Sequence, residues 1–198
     1  MNKHYQFKNY DYFDRWLSYW HQINEIFGLR PKSILEIGVG NRTVWQYLKK
    51  EEFDIKTMDI DQERKPDFLG SVEEMPFEKN SFDLILCAEV LEHLPFEKFE
   101  KCLKELERVT KKNVILSLPH FGPPIKFSIK IPFLKEIKVA FKIPYHPKHQ
   151  ESRVHYWEIG KRGYGIRKIK KIISKHFKVK NDFIPFENQY HHFFILEK

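Results

Sequence analysis

The sequence has little of what secreted scaffolds, fibrous proteins or membrane spans require. Among 198 residues there are only two cysteines, Cys87 and Cys102, and eight glycines, which excludes a disulfide scaffold and a collagen-like repeat. No apolar run reaches the about 18 residues of a membrane-spanning helix, and the start, Met1 to Tyr5, lacks the apolar core of a secretory leader. We therefore expect a cytoplasmic protein whose two thiols are reduced and buried.

The chain does have the material for a packed core, and its charge is uneven. Hydrophobic residues make up 41% and aromatic residues 16%, which suits one α/β domain at this length. Residues 121–180 hold 16 lysines and arginines against 3 acids, a balance of +13, whereas the rest of the chain has a balance of −5. This asymmetry indicates an anionic partner, either nucleic acid, a phosphorylated or nucleotide-linked substrate or a membrane surface. A solvated basic face without a specific partner is the alternative.

The order of apolar segments predicts a doubly wound α/β fold. The predicted strands lie at 33–40, 53–61, 67–69, 82–90, 113–118, 178–185 and 191–198. Strands that alternate with helices form a parallel sheet covered on both faces, and the short loop between the last two strands implies one antiparallel edge strand. We expect a single domain with a helical cover at 1–30, a cofactor-binding core at 31–118, an irregular insertion at 119–157 after the fifth strand, and a closing helix and strand pair at 158–198.

A glycine turn follows the first predicted strand, the place where an open α/β sheet usually binds its ligand. Gly38 and Gly40 let backbone N–H groups approach a ligand with no Cβ in the way. Asp59 ends the second strand, 19 residues after Gly40, where a carboxylate can accept both hydroxyls of a ribose. The nicotinamide fingerprint needs a third glycine, but Thr43 stands there, so a cofactor without a pyrophosphate is favoured.

Three segments in this order resemble the motifs of the class I, Rossmann-like S-adenosylmethionine-dependent methyltransferases, most closely those of methyltransferase type 11. They are ILEIGVG (34–40), MDID (58–61) and EEMPFEKNSFDLILCAEVLEHLP (73–95). The resemblance is specific over about residues 33–119 and looser toward the C-terminus. It implies a chain that binds S-adenosylmethionine, transfers its methyl group to an acceptor and releases S-adenosylhomocysteine.

The resemblance also implies which residues hold the cofactor. From the methionine turn, through the ribose and adenine positions, to the methionine end after the fourth strand, these are Glu36, Gly38, Val39, Gly40, Asp59, Ile60, Ser71, Val72, Cys87, Ala88 and Glu89. Asp59 is expected to bind the ribose hydroxyls, and Ile60 to pack on the adenine. The chain departs from the family pattern twice, because Arg42 replaces a frequent third glycine and Ser71 replaces an acidic residue.

Histidines are the candidate catalytic bases, because their pKa lies near working pH and a hydroxyl acceptor needs a base to take its proton. His93 follows the fourth strand, His120 ends the fifth, and His155 lies near the end of the insertion. A metal site built from His146, His149 and His155 is not expected, since the flanking ligands are poor.

The insertion at 119–157 is expected to determine the acceptor. Its stretch 123–143 alternates lysines with apolar residues, which fits a lid over an anionic acceptor, a surface that rests on anionic lipid, a groove for single-stranded nucleic acid or a loop packed on the sheet. Tyr5, Tyr10, Tyr12 and the helix with Trp16 and Trp20 are candidates to cover the cofactor, and core packing is the alternative for the two tryptophans.

The favoured function is methyl transfer to a small or medium acceptor, on an oxygen of a sugar or another anionic metabolite. Methylation of RNA or a protein is the alternative among enzymes, suggested by the basic stretch. Against RNA, no N-P-P-Y motif for methylating base amino groups follows the fourth strand, where the sequence is CAEV. A non-catalytic module that holds a nucleotide or a protein partner is the alternative outside the enzymes.

Overall fold

The computed structural model of the protein describes residues 11–143, 145–149 and 155–198. Its strands are β1 (Ile34–Ile37), β2 (Ile55–Asp59), β3 (Phe68–Leu69), β4 (Phe82–Ala88), β5 (Thr110–Pro119), β6 (Pro124–Ile129), β7 (Ile137–Lys142), β8 (Lys178–Phe183) and β9 (His191–Glu197). The α-helices in this part of the chain are α1 (Phe13–Leu29), α2 (Thr43–Lys50), α3 (Phe99–Val109) and α4 (Ile166–Ile173).

The main sheet has seven strands in the order β3-β2-β1-β4-β5-β9-β8. The first five in this order are parallel, and β9 is antiparallel to both of its neighbours. The predicted doubly wound, mostly parallel seven-stranded α/β sheet is therefore confirmed. The antiparallel strand lies one place inside the edge, with β8 outside it, which suits a strand whose residues are almost all buried.

The sheet is covered on both faces, and each face has its own core. One core joins β4 and β5 to the apolar sides of α3 and α4, through residues such as Leu103 and Ile169. The other joins the sheet to α1 and α2, through residues such as Ile26 and Leu48. Strands buried on both faces need near-continuous apolar sequence, which is why β4 is apolar apart from Asp83.

Helix α1 buries a more polar face than its aromatic residues suggest. Trp16 and Trp20 are about half exposed, at 47% and 58%, whereas Ser18 and Gln22 are buried. The tryptophans therefore do not pack in the core. Tyr5 and the rest of residues 1–10 lie outside the described residues.

The insertion, predicted to be irregular, contains a hairpin in which β6 and β7 form a separate two-stranded sheet. The alternation of lysines with apolar residues is the period-two pattern of a β-strand, which the sequence interpretation did not apply here. Every residue of β6 and most of β7 are exposed, so the hairpin is not a loop packed on the sheet. No helix in the described ranges has the length and apolarity to cross a membrane.

Candidate active site

The turn between β1 and α2 is shaped by its two glycines. Gly38 and Gly40 have φ angles of +78° and +53°, in the left-handed region that favours glycine. Space is also short at Gly38, because a Cβ there would lie 2.5 Å from Cγ2 of Val90. Position 38 therefore requires glycine both for its backbone conformation and for the close approach of the segment after β4.

Asp59, at the end of β2, connects the glycine turn to the neighbouring strand. Its Oδ2 accepts the N–H of Val39 at 2.9 Å, and its Oδ1 accepts the N–H of Asp61 at 2.9 Å. Each carboxylate oxygen has more than one lone pair, so both can accept a further hydrogen bond from a ligand hydroxyl. Asp59 is thus a structural element of the turn as well as a candidate ligand-binding group.

Arg42, the departure from a frequent glycine, adopts the glycine-like conformation with a φ of +68°. A residue with a side chain is strained there by about 1–2 kcal/mol. Its guanidinium offsets this strain by donating to the backbone oxygens of Arg64 and Lys65 at 2.9 and 2.5 Å and by stacking 4.1 Å from the ring centroid of Trp45. The departure therefore leaves the turn intact and joins it to the loop after β2.

A cleft of about 540 Å³ opens at the carboxyl ends of β1, β2 and β4. The sequence-predicted residues that line it are Gly38, Gly40, Asp59, Ile60, Ser71, Val72, Ala88, Glu89 and His93. Sequence reasoning missed further lining residues, namely Arg15, Ile37, Asp61, Arg64, Gly70, Glu73, Val90 and Leu94. Ile60 is 76% exposed, so its side chain is accessible to the flat ring of a ligand.

Glu36 and Val39 line a second, smaller cavity of about 40 Å³ that shares the glycine turn with the cleft. Glu36 is buried, and its Oε2 has no hydrogen-bond partner among the described residues. Burial is the main cause that raises its pKa to about 8, with a smaller opposing effect from Arg42 and a smaller reinforcing effect from Asp59. An unpaired buried carboxylate is costly, so this position favours a cationic group of a ligand.

Replacing Glu36 with glutamine is expected to stabilise the ligand-free protein above neutral pH. Because its pKa is higher in the folded protein than its usual value of 4.5, the folded state holds the proton more tightly than the unfolded chain. The wild-type contribution to stability therefore falls as the pH rises from about 4.5 to about 8, a loss that the variant lacks. Urea unfolding across this range should show a relative gain of about 2–4 kcal/mol for Glu36→Gln; parallel pH curves for the two proteins would contradict it.

Three predicted site residues, Cys87, His120 and His155, line neither the cleft nor the smaller cavity. Cys87 is fully buried in the core, because successive side chains of β4 point to opposite faces and the neighbouring Ala88 is the one that lines the cleft. Burial raises the pKa of the Cys87 thiol well above its usual value. Both cysteines are free and buried, as predicted.

His120 is the second of these residues. Its Nδ1 lies 3.0 Å from Nδ1 of His192, whose Nε2 is 3.1 Å from Oδ1 of Asp182. Burial, together with the charge of Lys142 and with His192, lowers the pKa of His120 to about 3. His120 is therefore a poor base and does not line the cleft, so the structure does not support its predicted role there.

The other two histidines meet at one end of the cleft. His93 lines the cleft, and the ring of His155 lies 5.1 Å from it between centroids, at an interplanar angle of 70°. Glu92 lies beside both rings and is fully buried. Sequence reasoning missed Glu92; its signal is a charged residue within the apolar segment that follows β4.

Comparison with known proteins finds a family model that matches part of the chain. Residues 35–118 match the family model described as a methyltransferase domain. A search of curated proteins finds no match.

Several solved structures share the fold. An S-adenosylmethionine-dependent methyltransferase from Clostridium acetobutylicum is 10% identical, with a TM-score of 0.60 and 91% of each chain covered. Magnesium protoporphyrin IX methyltransferase from Synechocystis, solved with bound S-adenosylhomocysteine, is 11% identical, with a TM-score of 0.64, covering 93% of this chain and 84% of that one. The 1,6-didemethyltoxoflavin-N1-methyltransferase of Burkholderia thailandensis is 13% identical, with a TM-score of 0.61, covering 91% of this chain and 76% of that one.

The matched residues include the glycine turn, Asp59 and the end of β4, which together build most of the cleft. The structural likeness extends over nearly the whole chain, although at such low identity it shows the fold and not the substrate. Residues 35–118 therefore match a methyltransferase domain, and the chain shares the fold of solved methyltransferases.

Proposed function

We propose that the protein is an S-adenosylmethionine-dependent methyltransferase that methylates an oxygen of a small or medium anionic acceptor. The observation that carries this proposal is the cleft itself, in which a glycine turn, a carboxylate at the end of β2 and an exposed apolar side chain face one space. That combination suits a ligand with an amino-acid end, a ribose and a flat base.

The residues present fit S-adenosylmethionine. The unpartnered Oε2 of buried Glu36 suits a cationic amino group, and Gly38 and Gly40 line the cleft, so the backbone of the turn is accessible to a ligand. Asp59 would hold the ribose hydroxyls, and Ile60 would pack on the adenine. When bound, this cofactor supplies a methyl group on an activated sulfonium, so the protein mainly has to align the acceptor within about 3–3.5 Å of the methyl carbon.

The acceptor class is proposed from the charge of the chain and from the base that lines the cleft. Residues 121–180 carry a charge balance of +13, which favours an anionic acceptor such as a sugar or another metabolite that carries phosphate. The cleft lining itself is mixed, since Arg15 and Arg64 lie beside four acidic residues and Arg64 pairs with Asp61. The His93 side chain is 45% exposed, so it is open to solvent and can take a proton from an acceptor hydroxyl. The named substrates of the structural neighbours differ from one another, from a porphyrin to a didemethyltoxoflavin. They therefore do not identify the acceptor of this chain.

A polymeric acceptor is the second candidate, favoured by the hairpin of β6 and β7. Phe127 and Phe141 are each 57% exposed and alternate with lysines such as Lys126 and Lys138. Exposed aromatic rings next to lysines suit a single-stranded nucleic acid. RNA therefore remains the alternative acceptor.

Methyl transfer from labelled S-adenosylmethionine distinguishes the candidates. The purified chain is incubated with a small-metabolite extract, with total RNA and with a protein extract, and the label is followed by mass spectrometry. We expect label in the small-metabolite fraction, on an oxygen. Label in RNA or protein alone would overturn the acceptor class, and cofactor binding without label in any fraction would indicate a non-catalytic module.

A further inference from the structure

A buried carboxylate and two imidazoles come together beside the cleft. Glu92 is 0% exposed, and neither of its carboxylate oxygens has a hydrogen-bond partner among the described residues. Its Oε1 lies 3.9 Å from Nε2 of His93 and 4.0 Å from Nε2 of His155. One ligand atom from each of the three residues falls within 4.8 Å of the others.

The backbone, and not only the side chains, brings these residues together. The N–H of Tyr156 donates to the oxygen of Glu92 at 2.8 Å, and the indole N–H of Trp157 donates to the oxygen of Leu94 at 3.1 Å. Trp157 is itself fully buried in the core. The segment after β4 and the end of the insertion are therefore held in fixed register, which preorganises the cluster.

A second carboxylate orients one of the imidazoles. Nδ1 of His155 lies 3.2 Å from Oε1 of Glu158, which also accepts the hydroxyl of Tyr190 at 2.8 Å. With the proton on Nδ1, the lone pair of Nε2 faces Glu92. A histidine held through one ring nitrogen by a carboxylate, with the other nitrogen facing a cluster, is the arrangement common around protein-bound metal ions.

We propose that Glu92, His93 and His155 bind a divalent transition-metal ion. A cation supplies the partner that the buried carboxylate of Glu92 lacks, and two imidazoles with one carboxylate suit Zn²⁺, Mn²⁺ or Fe²⁺ rather than Mg²⁺ or Ca²⁺. Ligand bonds of about 2.0–2.2 Å place ligand atoms about 3–3.5 Å apart, so the three atoms, now up to 4.8 Å apart, would have to draw together by about 0.5–2 Å. The exposed side chain of His93 can make this movement by rotation.

A metal ion at this position could activate the acceptor in the proposed reaction. This part of the proposal rests on the proposed function. Three protein ligands leave at least one coordination position for another oxygen, and His93 places that position at the cleft. A hydroxyl oxygen of the acceptor bound there would have a lowered pKa and would release its proton to solvent, so with a metal bound the ion, and not His93 as a base, would activate the hydroxyl. The acceptor class is thus one with a hydroxyl that coordinates a metal.

Metal titration tests the site without relying on activity. The full chain is stripped with a chelator and titrated with Co²⁺, whose visible absorption reports nitrogen and oxygen coordination, and bound Zn²⁺ is counted by mass spectrometry after dialysis. We expect one ion per chain and a loss of affinity of at least about 10-fold in Glu92→Gln and in His93→Ala. The matched control is His176→Ala, which should bind the metal like the wild type, because His176 pairs with Glu107 and is part of neither the cluster nor the cleft lining.

The wild-type protein failing to bind either metal, or both variants binding it like the wild type, would overturn the metal site. If circular dichroism shows that the Glu92→Gln variant does not fold, the test rests on His93→Ala, because His93 is partly exposed. Binding of S-adenosylhomocysteine by the stripped protein is measured separately and is expected to be intact. Metal binding without S-adenosylhomocysteine binding would contradict the proposed function alone, and the reverse would contradict the metal site alone.

Discussion

Replacing Gly38 with alanine is expected to lower the affinity for S-adenosylhomocysteine by about 100-fold, or about 2.7 kcal/mol. The new Cβ would lie 2.5 Å from Cγ2 of Val90, and the backbone φ of +78° is unfavourable for any residue with a side chain. To fit, either the turn or the segment after β4 must move, and both line the cleft. Calorimetric titration of the variant measures the loss.

A control on the same residue type separates this effect from a general cost of removing glycine. Gly28 lies in α1 with no atom within 4 Å of an added Cβ, so Gly28→Ala should bind like the wild type and unfold at a slightly higher temperature. Gly38→Ala combined with Val90→Ala removes the clash but not the backbone strain, and should recover part of the affinity. Full affinity in Gly38→Ala alone would contradict the role given to the turn.

Replacing Asp59 with alanine is expected to weaken S-adenosylhomocysteine binding by at least about 10-fold, or about 1.4 kcal/mol. The variant loses both the acceptor for the ribose hydroxyls and the two backbone hydrogen bonds, from Val39 and Asp61, that hold the turn. Asp59→Asn keeps the side-chain shape and one acceptor oxygen, so its affinity should be intermediate. Calorimetric titration of both variants gives the comparison.

Asp54→Ala provides the matched control for Asp59. Asp54 is an exposed aspartate just before β2, at the end of the strand away from the cleft, and its loss should leave binding unchanged. An equal loss in both variants would indicate a general effect of removing negative charge. Unchanged binding in Asp59→Ala would contradict the proposal that Asp59 binds the ribose hydroxyls.

The sheet and the cofactor turn could be predicted because their information is local. A buried parallel strand is a near-continuous apolar segment, and a glycine turn that follows it can be identified from a few consecutive residues. Asp59 was predictable for the same reason, since it ends a strand whose carboxyl end must reach the same edge of the sheet.

The rest of the site depends on contacts between distant segments. Arg15 reaches the cleft from α1, where the aromatic residues suggested a buried face that the structure instead leaves half exposed. The meeting of Glu92 with His155 joins residues on either side of β5 and the hairpin. Cys87 was predicted to line the cofactor site but lies in the core. Side chains alternate along β4, so a shift of one residue decides whether a side chain faces the core or the cleft.

The hairpin shows a different kind of error. Its alternating pattern was visible in the sequence, but alternation with one face buried is what usually identifies a strand. Here β6 is exposed on both sides, so its lysines and its apolar residues both lie in solvent. Such a segment has the alternation of a β-strand but no buried face, so the usual sign of a strand is missing from its sequence.

Calorimetric titration of the wild-type chain with S-adenosylmethionine and with S-adenosylhomocysteine tests the central claim most directly. Binding of one molecule per chain, with a dissociation constant in the micromolar range or tighter, is the predicted result. It would establish that the cleft at β1, β2 and β4 is a cofactor site. No detectable binding of either compound by the folded protein would contradict the account, because the glycine turn, Asp59 and Glu36 would then have no cofactor to hold.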